Sequence, residues 1–267
     1  MALLPWVERD VSLPRLTLHL RELASDGPPL LLLHGLSVDG SVWQAVSRRL
    51  YPAHSIIAAD LRGHGYSDHP HHGYDAVDYA ADVAELLDEI AAATGPIDVL
   101  GHSLGALAAL GAAALRSEQV RRLVLEEPPL GGPGPTLPYL RAVSEAKQEG
   151  HVAITAVVRR YQPGLGDLIG KVQTGMWERV APQAIGAVLD HPDSVFTVGD
   201  WLDRVTAATL LMQADPAVDA RLTTVDAEHA IGRLRQGRLI QVQGAGHVIH
   251  ADRLTEFCQV VTEFLRA

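Results

Sequence analysis

Ile97-Asp98-Val99-Leu100-Gly101-His102-Ser103-Leu104-Gly105-Ala106-Leu107 decides the fold. Four residues read as a short, largely apolar strand. A small-residue turn of the form G-x-S-x-G follows, and Leu107, Leu110, Ala113 and Ala114 then recur at helical spacing. A serine on such a strand-to-helix turn takes a strained backbone conformation and presents its hydroxyl outward, while glycines on either side let neighbouring segments approach closely. The N–H of Leu104, at the start of the helix, then points where a developing oxyanion could sit. Glycine and serine are common, so the five residues alone carry little weight. The flanking strand and helix separate them from a glycine-rich turn with a capping serine.

Serine is a poor nucleophile at neutral pH and needs a base within hydrogen-bond reach, oriented by a carboxylate. In folds with this turn the chain order is Ser, acid, His. Gly244-Ala245-Gly246-His247 directly follows the apolar run Leu239–Val242, which puts His247 in a loop at the same strand edge as Ser103. Of the 13 histidines only His247 and His250 follow that last run, and His250 reads as the start of the final helix. Leu33-His34-Gly35-Leu36 also leaves an apolar run, and a His-Gly turn there lets the Leu36 N–H face the serine. Leu36 and Leu104 are therefore the expected oxyanion donors, and His34 is expected to pin the turn rather than to titrate.

Alternating apolar runs and amphipathic stretches extend this pattern outward. Strands are expected at 16–20, 30–33, 56–59, 97–100, 123–125, 210–212 and 239–242, and helices at 41–50, 74–93 and 254–265. Such alternation indicates a mostly parallel sheet with helices on both faces. From Pro128 to about Asp200 no strand is legible. The segment opens with a Pro/Gly run at 128–135, which reads as a hinge or loop. It then holds helical stretches with Tyr139, Tyr161, Trp177 and Phe196, Trp201 standing just beyond. Residues 1–127 and 201–267 are read as the core, and 128–200 as a helical cap over the strand edge where open α/β sheets bind ligands.

The 267 residues, 47% hydrophobic and 20% charged, suffice for a sizeable core. A net charge of −10 argues against nucleic acid and against anionic membranes as partners, and reads as solubility. Cys258 is the single cysteine, which excludes an intramolecular disulfide and a thiolate metal cluster; it reads as a buried core thiol. The first ten residues lack the basic and apolar regions of a signal peptide, and no run is long enough to span a bilayer. The expected location is the cytoplasm.

With Asp60-Leu61-Arg62-Gly63-His64-Gly65-Tyr66-Ser67-Asp68, these motifs make the chain resemble the α/β-hydrolase superfamily over nearly its whole length. The resemblance implies an eight-stranded sheet, a cap after the sixth strand and no required cofactor. It also implies an acid, usually an Asp three residues beyond a glycine after the seventh strand. Here Ala214 replaces that glycine, Asp215 follows at once and Ala217 occupies the usual acid position. A second location follows the sixth strand, where haloalkane dehalogenases and zearalenone lactonases carry a Glu. Counting from Ser103 without gaps places Glu127 there, so Glu127 is the expected acid, with Asp215 and then Glu126 as alternatives. Asp215-Pro216 resembles the acidic-Pro turn that those dehalogenases and the coelenterazine luciferases have after strand seven.

The resulting expectation is a serine hydrolase of carboxylic esters or lactones, acting on a hydrophobic small molecule, with the acid placement favouring the zearalenone-lactonase type. A serine in place of a carboxylate at position 103 argues against dehalogenase and epoxide-hydrolase chemistry. Hydrolysis of a carbon–carbon bond in a vinylogous diketone and thioester hydrolysis use the same groups and stay open. So do a non-catalytic receptor on the same fold and a homodimer.

Overall fold

A computed structural model of the chain describes residues 6–132, 134–162 and 166–267. Pro133 of the Pro/Gly run and the first five residues of the N-terminal stretch lie outside the described residues. Eight strands form one sheet: β1 (Val7–Ser12), β2 (Thr17–Leu23), β3 (Pro29–Leu33), β4 (Ser55–Ala59), β5 (Ile97–His102), β6 (Val120–Glu126), β7 (Ala208–Gln213) and β8 (Gly237–Gln241). Their spatial order is β1-β2-β4-β3-β5-β6-β7-β8. Pairings from β4 through β8 are parallel, and β1 and β2 form an antiparallel edge.

The continuous apolar runs become the strands covered on both faces, as with Leu30–Leu33, each fully buried. On one face the 3-10 turn Gly40–Trp43, α1 (Gln44–Leu50) and the C-terminal α12 (Leu254–Arg266) pack through Trp43, Val46, Phe257 and Val261. Cys258 lies in this layer, and burial pushes its thiol up to about 11, which makes it inert at neutral pH. On the other face lie α2 (Ala76–Thr94), α3 (Leu104–Leu115) and α10 (Thr224–Arg233). The seven expected strands are all present. The eighth, β1, reads VERDVS with five of six residues exposed, so it has no apolar alternation to betray it. Its charges suit an edge strand that must not recruit another chain.

Between β6 and β7 the chain forms α4 (Leu137–Glu149), α5 (His151–Tyr161), α6 (Asp167–Glu178), α7 (Pro182–Asp190), α8 (Pro192–Phe196) and α9 (Trp201–Arg204). Aromatics of this segment pack against one another and against the core helices. Trp177 Nε1 donates to Tyr139 Oη at 2.8 Å, Tyr161 stacks 5.1 Å from Tyr139, and Trp201 packs against Gly111 of α3. No described helix is long and apolar enough to cross a membrane.

The sheet, α3 and the turn after β3 meet at the G-x-S-x-G sequence. A β-carbon on Gly101 would lie 2.2 Å from Gly105 O, and one on Gly105 would lie 2.4 Å from Leu33 O and 2.5 Å from His34 O. These are backbone atoms that cannot swing aside. Gly105→Ala is therefore expected to lower stability by about 1–3 kcal/mol. Urea unfolding would show this as a lower midpoint with an unchanged slope, and an unaltered midpoint would mean that the contact relaxes.

Candidate active site

Ser103 joins β5 to α3 with φ 53°, and among the described residues only it and Glu127, at φ 49°, combine a side chain with positive φ. Such conformations cost on the order of 1–3 kcal/mol and persist where surrounding structure enforces them. Here the next strand does the enforcing in each case: the Ser103 N–H donates to Glu126 O of β6 and the Glu127 N–H to Met212 O of β7, both at 2.9 Å. Both strained residues belong to one hydrogen-bonded chain of side chains. His247 Nε2 lies 3.1 Å from Ser103 Oγ, and His247 Nδ1 lies 3.2 Å from Glu127 Oε2.

Glu127 is fully buried but not short of partners. Its Oε1 accepts from the Ala214 N–H at 2.7 Å, and its Oε2 from the N–H groups of Arg221 and Leu222 at 2.6 and 3.2 Å. With the imidazole N–H these donors nearly fill the carboxylate's acceptor sites. Burial raises the Glu127 pKa above the ordinary value, and the three amides and the Arg221 charge oppose the rise. An acceptor-only carboxylate fixes the proton of His247 on Nδ1, which leaves Nε2 free to accept from Ser103 Oγ. Burial first and Arg221 second lower the His247 pKa, so the ring is neutral at neutral pH.

Asp215 goes elsewhere. Its Oδ2 accepts from the Gly244 N–H at 2.8 Å, its Oδ1 from the Ala217 N–H at 2.9 Å, and its own N–H donates to Ala245 O at 2.9 Å. It clasps the loop that carries His247 without meeting the ring. Glu126, the last residue of β6, takes a different histidine from Glu127. Its carboxylate takes the His250 N–H and ring Nδ1, each at 2.8 Å. His250 sits in α11 (Ile249–Asp252), one turn before the final helix. His102 closes the arrangement by placing Nε2 3.0 Å from His247 O.

The turn after β3 lies beside the serine. A β-carbon on Gly35 would sit 3.4 Å from Ser103 Cβ. His34 Nε2 accepts from the Leu61 N–H at 2.9 Å, so its Nδ1 carries the proton and donates to Gly35 O at 2.7 Å. In a trans peptide, fixing the Gly35 carbonyl fixes the Leu36 N–H in the opposite direction. A ring nitrogen of His64 lies 2.7 Å from Leu36 O and holds the next peptide. Leu104 opens α3, where first-turn N–H groups have no acceptor within the helix.

Sequence reading passed over the residues that tie the inserted helices to this turn. Gln173 of α6 donates from Nε2 to Ser37 O at 2.8 Å, and Arg179 Nη2 pairs with Asp39 Oδ2 at 2.7 Å. The Arg179 guanidinium also lies 5.3 Å from the Tyr66 ring centre. Asp39 is buried and caps the 3-10 turn Gly40–Trp43. Isolated polar residues on an amphipathic helix carry no signal of their distant partners. Among the described residues no group of three or more His, Cys, Asp or Glu side chains is placed to hold a metal ion.

Burial alone would raise the Asp39 carboxyl, but bonds from Ser41 and Arg179 overcome it and hold it down at about 2, against an ordinary 3.8. A depressed carboxyl pKa contributes stability that is complete above about pH 4 and lost as pH falls through about 2. Arg179→Met should therefore destabilise by about 0.5–1 kcal/mol at pH 7, a modest value because the guanidinium is partly in solvent. Urea unfolding at several pH values should show the gap to wild type shrinking between pH 4 and 2. A gap independent of pH would remove the ion pair as its cause.

Residues 30–260 match the model of the alpha/beta hydrolase family. The 2-(acetamidomethylene)succinate hydrolase of Mesorhizobium japonicum is 41% identical over 119 residues, 45% of this chain and 42% of that protein. Lipase LipV of Mycobacterium tuberculosis is 31% identical over 176 residues, 65% of this chain and 61% of the lipase. The chain thus spans less than half the length of the curated relatives it matches first. Among solved structures, an E-2-(acetamidomethylene)succinate hydrolase superposes with a TM-score of 0.81 at 23% identity, covering 98% of this chain and all of the other. The enol-lactonase from Burkholderia xenovorans superposes at 0.80 with 18% identity, covering 97% of this chain and all of the other. At such identities these likenesses show the fold.

Proposed function

The chain belongs to the alpha/beta hydrolase family, and from that premise we propose that it hydrolyses carboxylic esters or lactones through an acyl-enzyme formed on Ser103. The observation that carries this reading is the continuous chain Ser103 Oγ, His247, Glu127, with contacts of 3.1 and 3.2 Å. Ser103 Oγ attacks the substrate carbonyl carbon while its proton passes to His247 Nε2. The carbonyl oxygen takes the negative charge and lies against the N–H groups of Leu36 and Leu104. Collapse of this tetrahedral species breaks the bond to the alcohol oxygen, which takes the proton from His247. Water, deprotonated by the same nitrogen, then attacks the acyl carbon and frees Ser103. Glu127 stays ionised throughout and stabilises the transient imidazolium.

The helical segment 128–200 acts in this reading as a cap, and its latch at Gln173 and Arg179 holds the turn that supplies the Leu36 donor. The substrate is a small hydrophobic ester or lactone. Relatives named as hydrolases, esterases and lipases support hydrolysis as the reaction class. The Glu127 placement supports the lactone branch of the reading.

Short p-nitrophenyl esters and a fluorophosphonate probe test the proposal directly. Wild type should turn over the esters and take the label, and Ser103→Ala should do neither; equal behaviour of the two proteins sinks it. Glu127→Gln should lower kcat by about 10³–10⁴-fold, because an amide can leave the imidazole in the wrong tautomer. Asp215→Asn should keep kcat within about tenfold, since its bonds reach the backbone of the loop and not the ring. The reverse ranking would transfer the role to Asp215.

A further inference from the structure

The loop after β7 does more than supply amides. Arg221, whose N–H makes the 2.6 Å bond to Glu127 Oε2, has a side chain only 16% exposed. Its Nη2 reaches Asp219 Oδ2 at 3.2 Å, while its Nε and Nη1 are buried and donate to no protein acceptor among the described residues. A guanidinium so poorly satisfied is costly to bury relative to an apolar side chain of similar size, so packing does not account for it. Asp219 is placed with equal care: it forms a parallel bridge to Gly246, the residue before His247. One segment therefore carries a positive and a negative charge, in contact with each other, against the loop of the base.

We propose that Arg221 and Asp219 are a pair of opposed positioning charges on the acid–base couple, Arg221 favouring a neutral His247 with an ionised Glu127, and Asp219 working against it. The proposal rests on His247 acting as the base for Ser103. Exposure decides which charge wins. The Asp219 side chain is 51% exposed against 16% for Arg221, so solvent screens the carboxylate more and the guanidinium dominates. Burial and then Arg221 lower the His247 pKa, and Asp219 raises it. The other groups facing His247 are Glu127 at the end of β6, His250 in α11 and His102 at the end of β5, whose ring lies 4.8 Å away. All three side chains stay in place when the pair is altered, and of them Glu127 also feels the Arg221 charge. Substituting Arg221 also leaves its backbone N–H on Glu127, so the charge is removed without opening the cradle.

The test is an NMR titration of the His247 Cε1–H, assigned by its absence in His247→Gln, in wild type and in Arg221→Met, Arg221→Lys and Asp219→Asn. Arg221→Met should raise the midpoint by about 0.5–1 unit, and Arg221→Lys should restore most of the wild-type value. Asp219→Asn should give a smaller imidazolium fraction than wild type at every pH where both are folded. The acid limb of kcat/KM should move in the same directions. Both charge-removing variants moving the midpoint the same way, or neither moving it, overturns the proposal. Should Arg221→Met fail to fold, the half-exposed Asp219→Asn and the charge-keeping lysine variant still decide it. Opposite NMR shifts without Ser103-dependent hydrolysis would keep the charge pair and discard the catalytic reading. Hydrolysis without opposite shifts would discard the pair alone.

Discussion

Backbone pressed against backbone is the constraint on which this structure turns. The first turn of α3 lies so close to the end of β3 that Gly105 has no room for a β-carbon beside Leu33 O and His34 O. That approach brings the Leu36 peptide and the Leu104 peptide to the same serine. It also places Ser103 where regular strand and helix geometry cannot both be kept, and φ at this residue turns positive. The hydrogen bond from the Ser103 N–H to Glu126 O then ties the turn to β6. The hydroxyl's position is thus set by four elements of the sheet and its covering helix, not by the local sequence alone.

Carboxylate burial is the second organising fact. Glu127 leaves β6 into an apolar interior, where an unsolvated carboxylate would be expensive. The chain after β7 answers with three amides, and in wrapping around the carboxylate it brings Arg221 and Asp219 beside the loop of His247. Asp215 clasps that loop from the other end through Gly244. The acid is held by backbone, so few side chains near it carry a recognisable pattern.

This explains what could be read from the residues and what could not. Strands buried on both faces announced themselves as runs such as Leu30–Leu33, and the serine turn lay between a strand and a helix that periodicity alone identifies. The edge strand Val7–Ser12 escaped because its exposure removes any apolar pattern. His247 was legible from a glycine-rich loop at the right edge. Glu127 emerged from counting along a resemblance and not from its neighbours, since the amides that hold it belong to Ala214, Arg221 and Leu222, whose side chains are not used. The latch from Gln173 and Arg179 joins segments more than a hundred residues apart and leaves no local trace.

Glu126 and Glu127 are adjacent, yet one carboxylate meets His250 and the other His247. Glu126 ends β6 and Glu127, at φ 49°, has already left it, so inserting or deleting a single residue within β6 would put a different residue against each histidine. It would also move the carbonyl that receives the Ser103 N–H. The tolerance of this chain to changes in length is therefore uneven. Within β5, the serine turn and β6 it can vary only by substitution, whereas the connection between β6 and β7 has no such register to keep. Diversification by insertion is channelled into the helices beside the site, and the reacting groups beneath them are kept in step by the register of β6 against its two neighbours.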